Sequence, residues 1–437
     1  MKEECQLLKE SRNQWSSEPA FIFSMTAAAV GLGNLWRFPY ILGENGGGAF
    51  VIAYLLALFI VVLPMMMLEV AAGRMAQGSA IQTYRQVNRF GTVYGWFVVL
   101  VTTAITSYYL VITGWTLGYA VDSIVGNLRV FSEFSSGYNS FWYFLITTFA
   151  GGAILVRGVS AIEKMSKILM PFLFLLMIAL VIIASTTDGW EQTKNFFFQV
   201  DFNRLKETSL WAFAFGQAFY TLAIGQGYLV TYGSYIPRKT HVPRACLVVA
   251  GTELSVALMA GWMIFPFVFS LGLQPDAGSQ LAFSTLPRVF EDLGGGYWLS
   301  IMFFVLFFIA AFSSSLAGLK VIVAAVAEEL KLPDTSAVGA VTIVMLILGT
   351  VSAMSFTPLQ LNIGGEPVLD VIDRIAGTNV ILVSGVLGAA LFTWFIPRYK
   401  VRNALGVRSH WWEWRIYVIG KYLPIAVVVW LILTLLI

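Results

Sequence analysis

Residues 27–40 read AAAVGLGNLWRFPY and fall inside the first long apolar run of the chain. Two glycines, an asparagine, an arginine and a proline stand close together here, although Gly and Pro weaken helix propagation and Arg is costly at membrane depth. Each backbone polar group that lacks a hydrogen bond in hydrocarbon destabilises the protein by several kcal/mol. Irregular backbone at that depth therefore occurs only around a cavity or ligand. The stretch therefore predicts a helix break that serves a binding site.

The composition surrounding this stretch is typical of a helical membrane protein. The 437 residues are 58% hydrophobic and 12% charged, with a mean hydropathy of +0.77. Soluble domains average about 45–50% apolar and about 25% charged residues. Many apolar runs reach the roughly 20 residues that cross a bilayer core as helix. We predict eleven spans, numbered in chain order: 19–42, 48–72, 93–125, 141–156, 165–186, 209–234, 244–272, 296–327, 336–355, 371–396 and 413–436.

The basic residues predict the orientation of these spans. The segment KEECQLLKE (2–10) lacks the apolar core of a cleaved signal peptide, so the first span is expected to remain. Lys and Arg are dense in every second loop, and the positive-inside rule then gives a cytoplasmic N-terminus and, with an odd span number, an external C-terminus. We expect a multi-pass protein of the plasma membrane, the inner membrane of a bacterial cell, with basic cytoplasmic clusters at Arg74, Arg85, Arg89; Arg157, Lys164, Lys167; Arg238, Lys239, Arg244; and Arg398, Lys400, Arg402, Arg408.

The residue inventory argues against an enzyme. His241 and His410 lie in loops with no HExxH or CxxC motif nearby, and Cys5 and Cys246 are too far apart to imply a disulfide framework. No predicted span contains a histidine that could serve as a catalytic base. We therefore expect no enzyme activity and no nucleic-acid partner, and we expect the lipid bilayer as the surroundings of the protein.

A second interrupted span indicates internal symmetry. Span 1 is broken by VGLGN (30–34) and span 6, five spans later, by AIGQGY (223–228). Paired Gly-interrupted spans in matching positions of two halves point to the midplane site of a transporter, and a five-span repeat inverts the second half. We predict an all-α polytopic protein with one transmembrane domain over 1–437, made of two inverted five-helix repeats, 19–186 and 209–396, and one additional span, 413–436.

Broken helices at mid-membrane offer both kinds of backbone group to a ligand. Unwound carbonyls coordinate a cation, and half-helix N-termini present N–H groups to an anion. A hard cation needs only oxygen ligands, and the amide of Asn34, the hydroxyl of Thr221 and the serines 313–315 supply them. The pattern predicts a zwitterionic substrate bound beside a metal ion.

Four motifs in order resemble the neurotransmitter:sodium symporter family over essentially the whole chain. They are AVGLGNLWRFPYILGENGGGAF (29–50), SYYLVITGWTLGYA (107–120), FGQAFYTLAIGQGYLVTYGSY (215–235) and AAFSSSLAG (310–318). The resemblance implies two inverted five-helix repeats with spans 1 and 6 unwound at mid-membrane. It also implies alternating-access symport of sodium and a solute, as an eleven-span prokaryotic member would perform it.

The resemblance also implies two sodium sites. The first would use the Ala29 carbonyl, Asn34, Thr221 and Glu253, which stands about where the family has an asparagine ligand. A fixed carboxylate at that position could replace the chloride of the animal members, to whose site Tyr54 and Gln217 also correspond, so no chloride requirement is expected. The second site would use the following carbonyls and hydroxyls: Ala27, Val30, Ala310, Ser313 and Ser314.

The expected substrate is a neutral L-amino acid. Amine-transporting members carry an aspartate at the position of Gly31, so its absence favours a substrate that brings its own carboxylate. The small residues Gly318 and Ala223 favour a substrate with a large or aromatic side chain. Two alternatives stay open: a symporter for a betaine-like or ω-amino acid solute, and an amino-acid sensor that does not transport. The resemblance implies these substrate contacts: Ala29, Leu32, Gly33, Ile105, Tyr109, Tyr220, Thr221, Ala223, Gln226, Ser314 and Gly318.

Gates are implied at both ends of the site. Arg37 and Asp373 match an external ion pair, and an internal latch corresponds to Arg12, Trp15, Tyr235 and Glu328. Glu69 resembles a buried glutamate that bonds to the unwound backbone of span 6. Lys320 has no counterpart in this pattern and is read as a snorkelling side chain. We expect a monomer or a loose dimer.

Overall fold

The computed structural model describes residues 14–237, 239–275, 281–292, 294–406 and 410–436. Seven helices in these ranges are long and apolar enough to cross a membrane, and a bent pair, Glu18–Ala29 with Gly33–Glu44, adds an eighth span when counted as one. The seven are Gly48–Ala76, Arg89–Val125, Val159–Ala184, Val242–Ser270, Gly296–Leu330, Asp334–Phe356 and Val368–Phe395.

The remaining three predicted spans also correspond to helices. Span 4 is the 17-residue helix Asn139–Leu155. Span 6 is divided into Thr208–Thr221 and Tyr228–Gly233. Span 11 is the 27-residue helix His410–Leu436. Each of the eleven predicted spans therefore has a helix or a broken helix at its place, although span 5 begins six residues before the predicted start.

Shorter elements connect the spans or interrupt them. Wider π-type turns occur inside spans 1, 2 and 10, at Gly33–Arg37, Ala57–Val62 and Asp373–Val380. The connecting helices are Ala80–Arg85, Phe131–Phe134, Trp190–Phe198, Arg204–Lys206, Leu281–Thr285, Leu286–Asp292 and Arg398–Leu405. The predicted all-α class is confirmed, and the described strands are two antiparallel residue pairs, Asn362–Ile363 and Glu366–Pro367.

Local chemistry sets the ends of these helices. Span 3 starts where the Asn88 side chain accepts a hydrogen bond from the Gly91 amide, and it ends at Gly126 in the left-handed conformation. The first half of span 1 starts at Ser17, whose hydroxyl accepts from the Ala20 amide. That half ends because Val30 is extended, with ψ of 111°.

The two helix breaks come together in the middle of the bundle. The halves of span 1 are bent by 52°. The Gln217 side chain of span 6 donates to the Gly33 carbonyl at 2.8 Å, and a Cβ at Gly33 would lie 3.0 Å from the Tyr220 ring. The fold thus places the irregular backbone of both halves beside one central cavity.

The described part of the long loop before span 8 is helical. Its described part is Leu281–Thr285 followed by Leu286–Asp292. Phe283 packs on Tyr119 with ring centroids 5.3 Å apart, and its carbonyl accepts from the Tyr119 hydroxyl at 2.9 Å. The loop is therefore anchored to span 3 above the cavity.

Candidate functional site

The break in span 1 redirects its backbone hydrogen bonds. The Gly31 amide donates to Oδ1 of Asn34 at 3.2 Å, and the Leu32 amide donates to the Tyr109 hydroxyl at 3.0 Å. The Asn34 amide donates to the Gly31 carbonyl at 3.1 Å. In a continuous helix, the Gly31 amide would donate to the Ala27 carbonyl, and the Asn34 amide would donate to the Val30 carbonyl. Both carbonyls therefore lose their helical partners, as the predicted sodium ligation requires.

The break in span 6 is held by side chains from other spans. Ala223, Gly225 and Gly227 all have positive φ, of 52°, 76° and 74°. The Gly225 amide donates to Oε1 of Glu69 at 2.8 Å, and its carbonyl accepts from the Ser384 hydroxyl at 2.6 Å. A Cβ at Gly225 would lie 2.3 Å from the amide nitrogen of span 10 behind it, so only glycine fits.

A small cavity lies between the breaks. No Asp, Glu, Lys or Arg is among its lining residues in the described part of the chain. Of the eleven predicted substrate contacts, all but Leu32 and Gly318 line it, which makes nine. The full lining is Ala28, Ala29, Gly31, Gly33, Ile105, Tyr109, Tyr220, Thr221, Ala223, Gln226, Tyr228 and Ser314.

The two predicted contacts that do not line the cavity have specific reasons. The amide of Leu32 is already bonded to the Tyr109 hydroxyl, so it acts through that tyrosine. A Cβ at Gly318 would lie 2.5 Å from both the Tyr228 hydroxyl and Oγ1 of Thr106. The expectation that Gly318 opens room for a large side chain is corrected accordingly, because Tyr228 takes that space. The sequence reasoning missed Tyr228, although a bulky residue directly after the AIGQG break could have drawn attention to it.

The residues of the first predicted ion site are adjacent. Nδ2 of Asn34 donates to Oε1 of Glu253 at 2.6 Å, and the Tyr54 hydroxyl donates to the same oxygen at 3.0 Å. Glu253 is fully buried, with 0% of its surface exposed. Thr221 and Ala29 line the cavity beside this pair, and the Thr221 hydroxyl donates to the Gln217 carbonyl at 2.5 Å.

One residue of the second predicted ion site, Ser314, joins spans 1 and 8. The Ser314 hydroxyl donates to the Ala28 carbonyl at 3.0 Å, which joins the two spans directly. The Ser313 hydroxyl, one position earlier, bonds to the Ala310 carbonyl at 3.1 Å. The Ser314 bond places span 8 against the break in span 1, and the five predicted sodium ligands stay a prediction.

The external gate differs from the expected ion pair. Among the described residues, Arg37 and Asp373 form no direct hydrogen bond or salt bridge. The Arg37 guanidinium lies over the Tyr220 ring, 4.4 Å from its centroid, and its buried Nη1 has no hydrogen-bond partner. Asp373 instead accepts from the Tyr108 hydroxyl at 2.5 Å. An aromatic ring and a tyrosine hydroxyl have thus taken the places of the two partners.

The internal latch is partly visible. Nε1 of Trp15 donates to the Tyr232 carbonyl at 3.1 Å, and the Trp15 amide donates to the Tyr235 carbonyl at 3.0 Å. Glu328 accepts from the Ser79 amide at 2.7 Å. Arg12, the remaining predicted member, lies outside the described residues.

The structure also accounts for the position of Lys320. Only 4% of its surface is exposed, and its ammonium reaches Oδ2 of Asp334 at 3.6 Å, near the start of span 9. The Tyr235 ring lies 5.6 Å from the ammonium. The buried lysine thus extends towards the end of the bundle at which span 9 begins, in agreement with a snorkelling side chain.

Comparisons with known proteins agree with this architecture. The profile of the Sodium:neurotransmitter symporter family matches residues 12–141 and 140–436. An uncharacterized sodium-dependent transporter of Bacillus subtilis is 32% identical, with 95% of this chain and 96% of that protein covered. A counterpart from Haemophilus influenzae is 30% identical, with 91% and 92% covered.

A solved structure matches the whole fold. The crystal structure of MhsT in complex with L-phenylalanine has a TM-score of 0.88 and 33% sequence identity, and the match covers 96% of this chain and 99% of that one. The predicted resemblance is therefore confirmed, and the broken spans 1 and 6 belong to a transporter fold. The chain is a membrane protein of the sodium:neurotransmitter symporter family and a sodium-dependent symporter.

Proposed function

We propose that this symporter carries a neutral L-amino acid, with a preference for large or aromatic side chains, by alternating access. The observation that carries the proposal is the cavity lining, which has freed backbone groups and hydroxyls but no charged side chain among the described residues. A monoamine would find no carboxylate for its ammonium there. A zwitterion supplies both charges itself, and its carboxylate can complete the first ion site.

The carboxylate end of the substrate would lie at the span 1 break. The Tyr109 hydroxyl and the backbone around Leu32 and Gly33 would donate to the carboxylate, while the carbonyls of Ala29 and of the span 6 break would accept from the ammonium. The preference for a large side chain is supported by the small Ala223 and by the L-phenylalanine named in the MhsT structure.

Two sodium ions are proposed per transport cycle. The first would bind at Ala29, Asn34, Thr221 and Glu253, where the carboxylate already accepts from Asn34 and Tyr54. A built-in negative charge beside the Tyr54 hydroxyl makes chloride unnecessary in this proposal. The second ion would bind at the oxygens of Ala27, Val30, Ala310, Ser313 and Ser314.

This stoichiometry would provide substantial driving force. Two sodium ions and one zwitterion move two positive charges, and each charge crossing 100 mV is worth about 2.3 kcal/mol. Voltage alone would supply about 4.6 kcal/mol, or about three decades of accumulation. The proposed setting is the plasma membrane, with the N-terminus cytoplasmic, the C-terminus external, and a monomer or loose dimer as the working unit.

Uptake into proteoliposomes tests the proposal. Each of the twenty amino acids, a betaine and an ω-amino acid would be offered with and without an inward sodium gradient, and neutral amino acids are expected to accumulate only with sodium. Ser313→Ala should weaken sodium dependence, whereas Ser255→Ala, which removes an exposed hydroxyl bonded only to its own helix, should not. Accumulation of betaine alone, or binding without uptake, would reject the proposal in favour of the alternative solute or of a sensor.

A further inference from the structure

One face of span 3 reaches the cavity through Ile105 and Tyr109. Thr102, Ile105, Thr106 and Tyr109 are spaced at one helical turn, so their side chains share that face. Tyr109 marks the proposed carboxylate end through its bond with the Leu32 amide. Thr106 and Thr102 therefore lie progressively further along the direction in which the substrate side chain would extend.

Polar atoms converge at this far end. A Cβ at Gly318 would lie 2.5 Å from the Tyr228 hydroxyl and equally close to Oγ1 of Thr106, so both oxygens crowd the space that a larger residue would fill. Thr102 fixes the neighbouring backbone by donating to the Gln226 carbonyl at 2.6 Å. Gln226 and Tyr228 both line the cavity.

Only part of this polar group is paired within the protein. Oγ1 of Thr106 is buried, and the Tyr228 hydroxyl is its hydrogen-bonding neighbour. The side-chain amide of Gln226 makes no hydrogen bond within the described residues, although only 5% of the Gln226 surface is exposed. Buried polar groups are normally paired, and an exception indicates a missing ligand or water.

An apolar side chain would leave the Gln226 amide unpaired and would offer the Tyr228 hydroxyl no partner beyond Thr106. Its binding would remove water from a hydroxyl and an amide without replacing the lost hydrogen bonds, and sites built in this way discriminate strongly against analogues that lack the polar group. A charged side chain would meet no counter-charge in the cavity lining. A neutral side chain that can both donate and accept satisfies the site.

We infer that Tyr228, Thr106 and Gln226 form a specificity subsite for an amino-acid side chain that ends in a hydroxyl or a carboxamide. This inference rests on the proposed function and narrows its substrate class. A substrate side chain can be both large and polar at this subsite, as the side chains of tyrosine and glutamine are.

Isosteric pairs separate polarity from size. Competition by Thr against Val, Gln against Met and Tyr against Phe would be measured for sodium-dependent uptake in proteoliposomes. The polar member of at least one pair is expected to compete about tenfold better. Tyr228→Phe and Thr106→Val should reduce that ratio towards one while sparing the apolar member, and Thr106→Ser, which keeps the hydroxyl, should restore it. Tyr297→Phe removes a hydroxyl bonded outside the cavity, to the Ile124 carbonyl, and serves as the control.

Each outcome decides the inference. A preference for the apolar member in all three pairs would overturn it, as would a polar preference that persists in both Tyr228→Phe and Thr106→Val, because Tyr228 and Thr106 would then be a purely structural pair. These results would leave the proposed amino-acid symport intact. Uptake of no amino acid at all would instead refute the proposed function, and this inference with it.

Discussion

Replacing Gly31 by alanine tests the geometry at the centre of the site. The φ of Gly31 is not in the left-handed region, so alanine is compatible with the backbone and the effect is steric. Its Cβ would lie 2.6 Å from the Tyr109 hydroxyl and 3.1 Å from both Cβ and Oγ of Ser314. Because a contact of that length cannot persist, the tyrosine hydroxyl must move away from the span 1 break.

The expected loss follows from the bonds of that hydroxyl. It accepts from the Leu32 amide at 3.0 Å and, in the proposed complex, donates to the substrate carboxylate. A hydrogen bond to a charged group is worth about 1.5–3 kcal/mol, so amino-acid binding should weaken roughly 10- to 150-fold. Ser314 is the one proposed sodium ligand among the three atoms nearest the new Cβ and would have to shift only slightly, so sodium dependence should change less than amino-acid binding.

Binding of a radiolabelled amino acid to purified protein in saturating sodium measures this effect. Gly251→Ala is the matched control, since a Cβ at Gly251 meets nothing within 4 Å. In a Tyr109→Phe background, Gly31→Ala should cost much less, because the displaced hydroxyl is already missing. Unchanged affinity of Gly31→Ala, or the same loss in both backgrounds, would refute the reasoning. Comparing Gly31→Asp with Gly31→Asn then isolates the effect of the added charge.

Three further variants test the ion sites and the outer gate. Glu253→Gln should weaken sodium affinity at least about tenfold, because the neutral amide removes the negative charge that is proposed to bind the ion; sodium titrations check this, and an unchanged midpoint would contradict a ligand role. Ser313→Ala should raise the sodium concentration needed for half-maximal uptake about fivefold while amino-acid affinity at saturating sodium stays constant, and a loss confined to amino-acid affinity would argue against the second site. Tyr108→Phe removes the bond to Asp373 and should speed release of bound substrate about fivefold in stopped-flow or dilution assays; an unaltered release rate would show that this bond does not hold the gate.

Much of the fold could be predicted because the membrane restricts the possible structures. A span must satisfy its own backbone hydrogen bonds, so apolar length alone predicts helices, and all eleven predicted spans coincide with helical segments. The breaks were predictable for the same reason. Gly31, Gly33 and Gly225 interrupt runs that hydrocarbon would otherwise force into continuous helix.

Local signals located the helix ends less well. Span 5 was expected to begin at residue 165 but starts at Val159, because charged residues at the end of a span can continue a helix beyond the apolar run. The π-type turn Asp373–Val380 had no sequence signal either. Such a widened turn depends on packing, since the Tyr108 hydroxyl and the Asp373 carboxylate fill the space beside Gly377.

The sequence by itself determined the fold class, the two broken spans and the presence of glycine in place of aspartate at position 31. Each of these depends only on which residue types occur in the chain. The tertiary structure decided which side chains contact each other across the spans. Tyr228 fills the space that Gly318 leaves, and Arg37 stacks on Tyr220 instead of pairing with Asp373. These contacts join residues tens to hundreds of positions apart, and side-chain volume and hydrogen-bond direction across packed helices, which no local pattern encodes, select them.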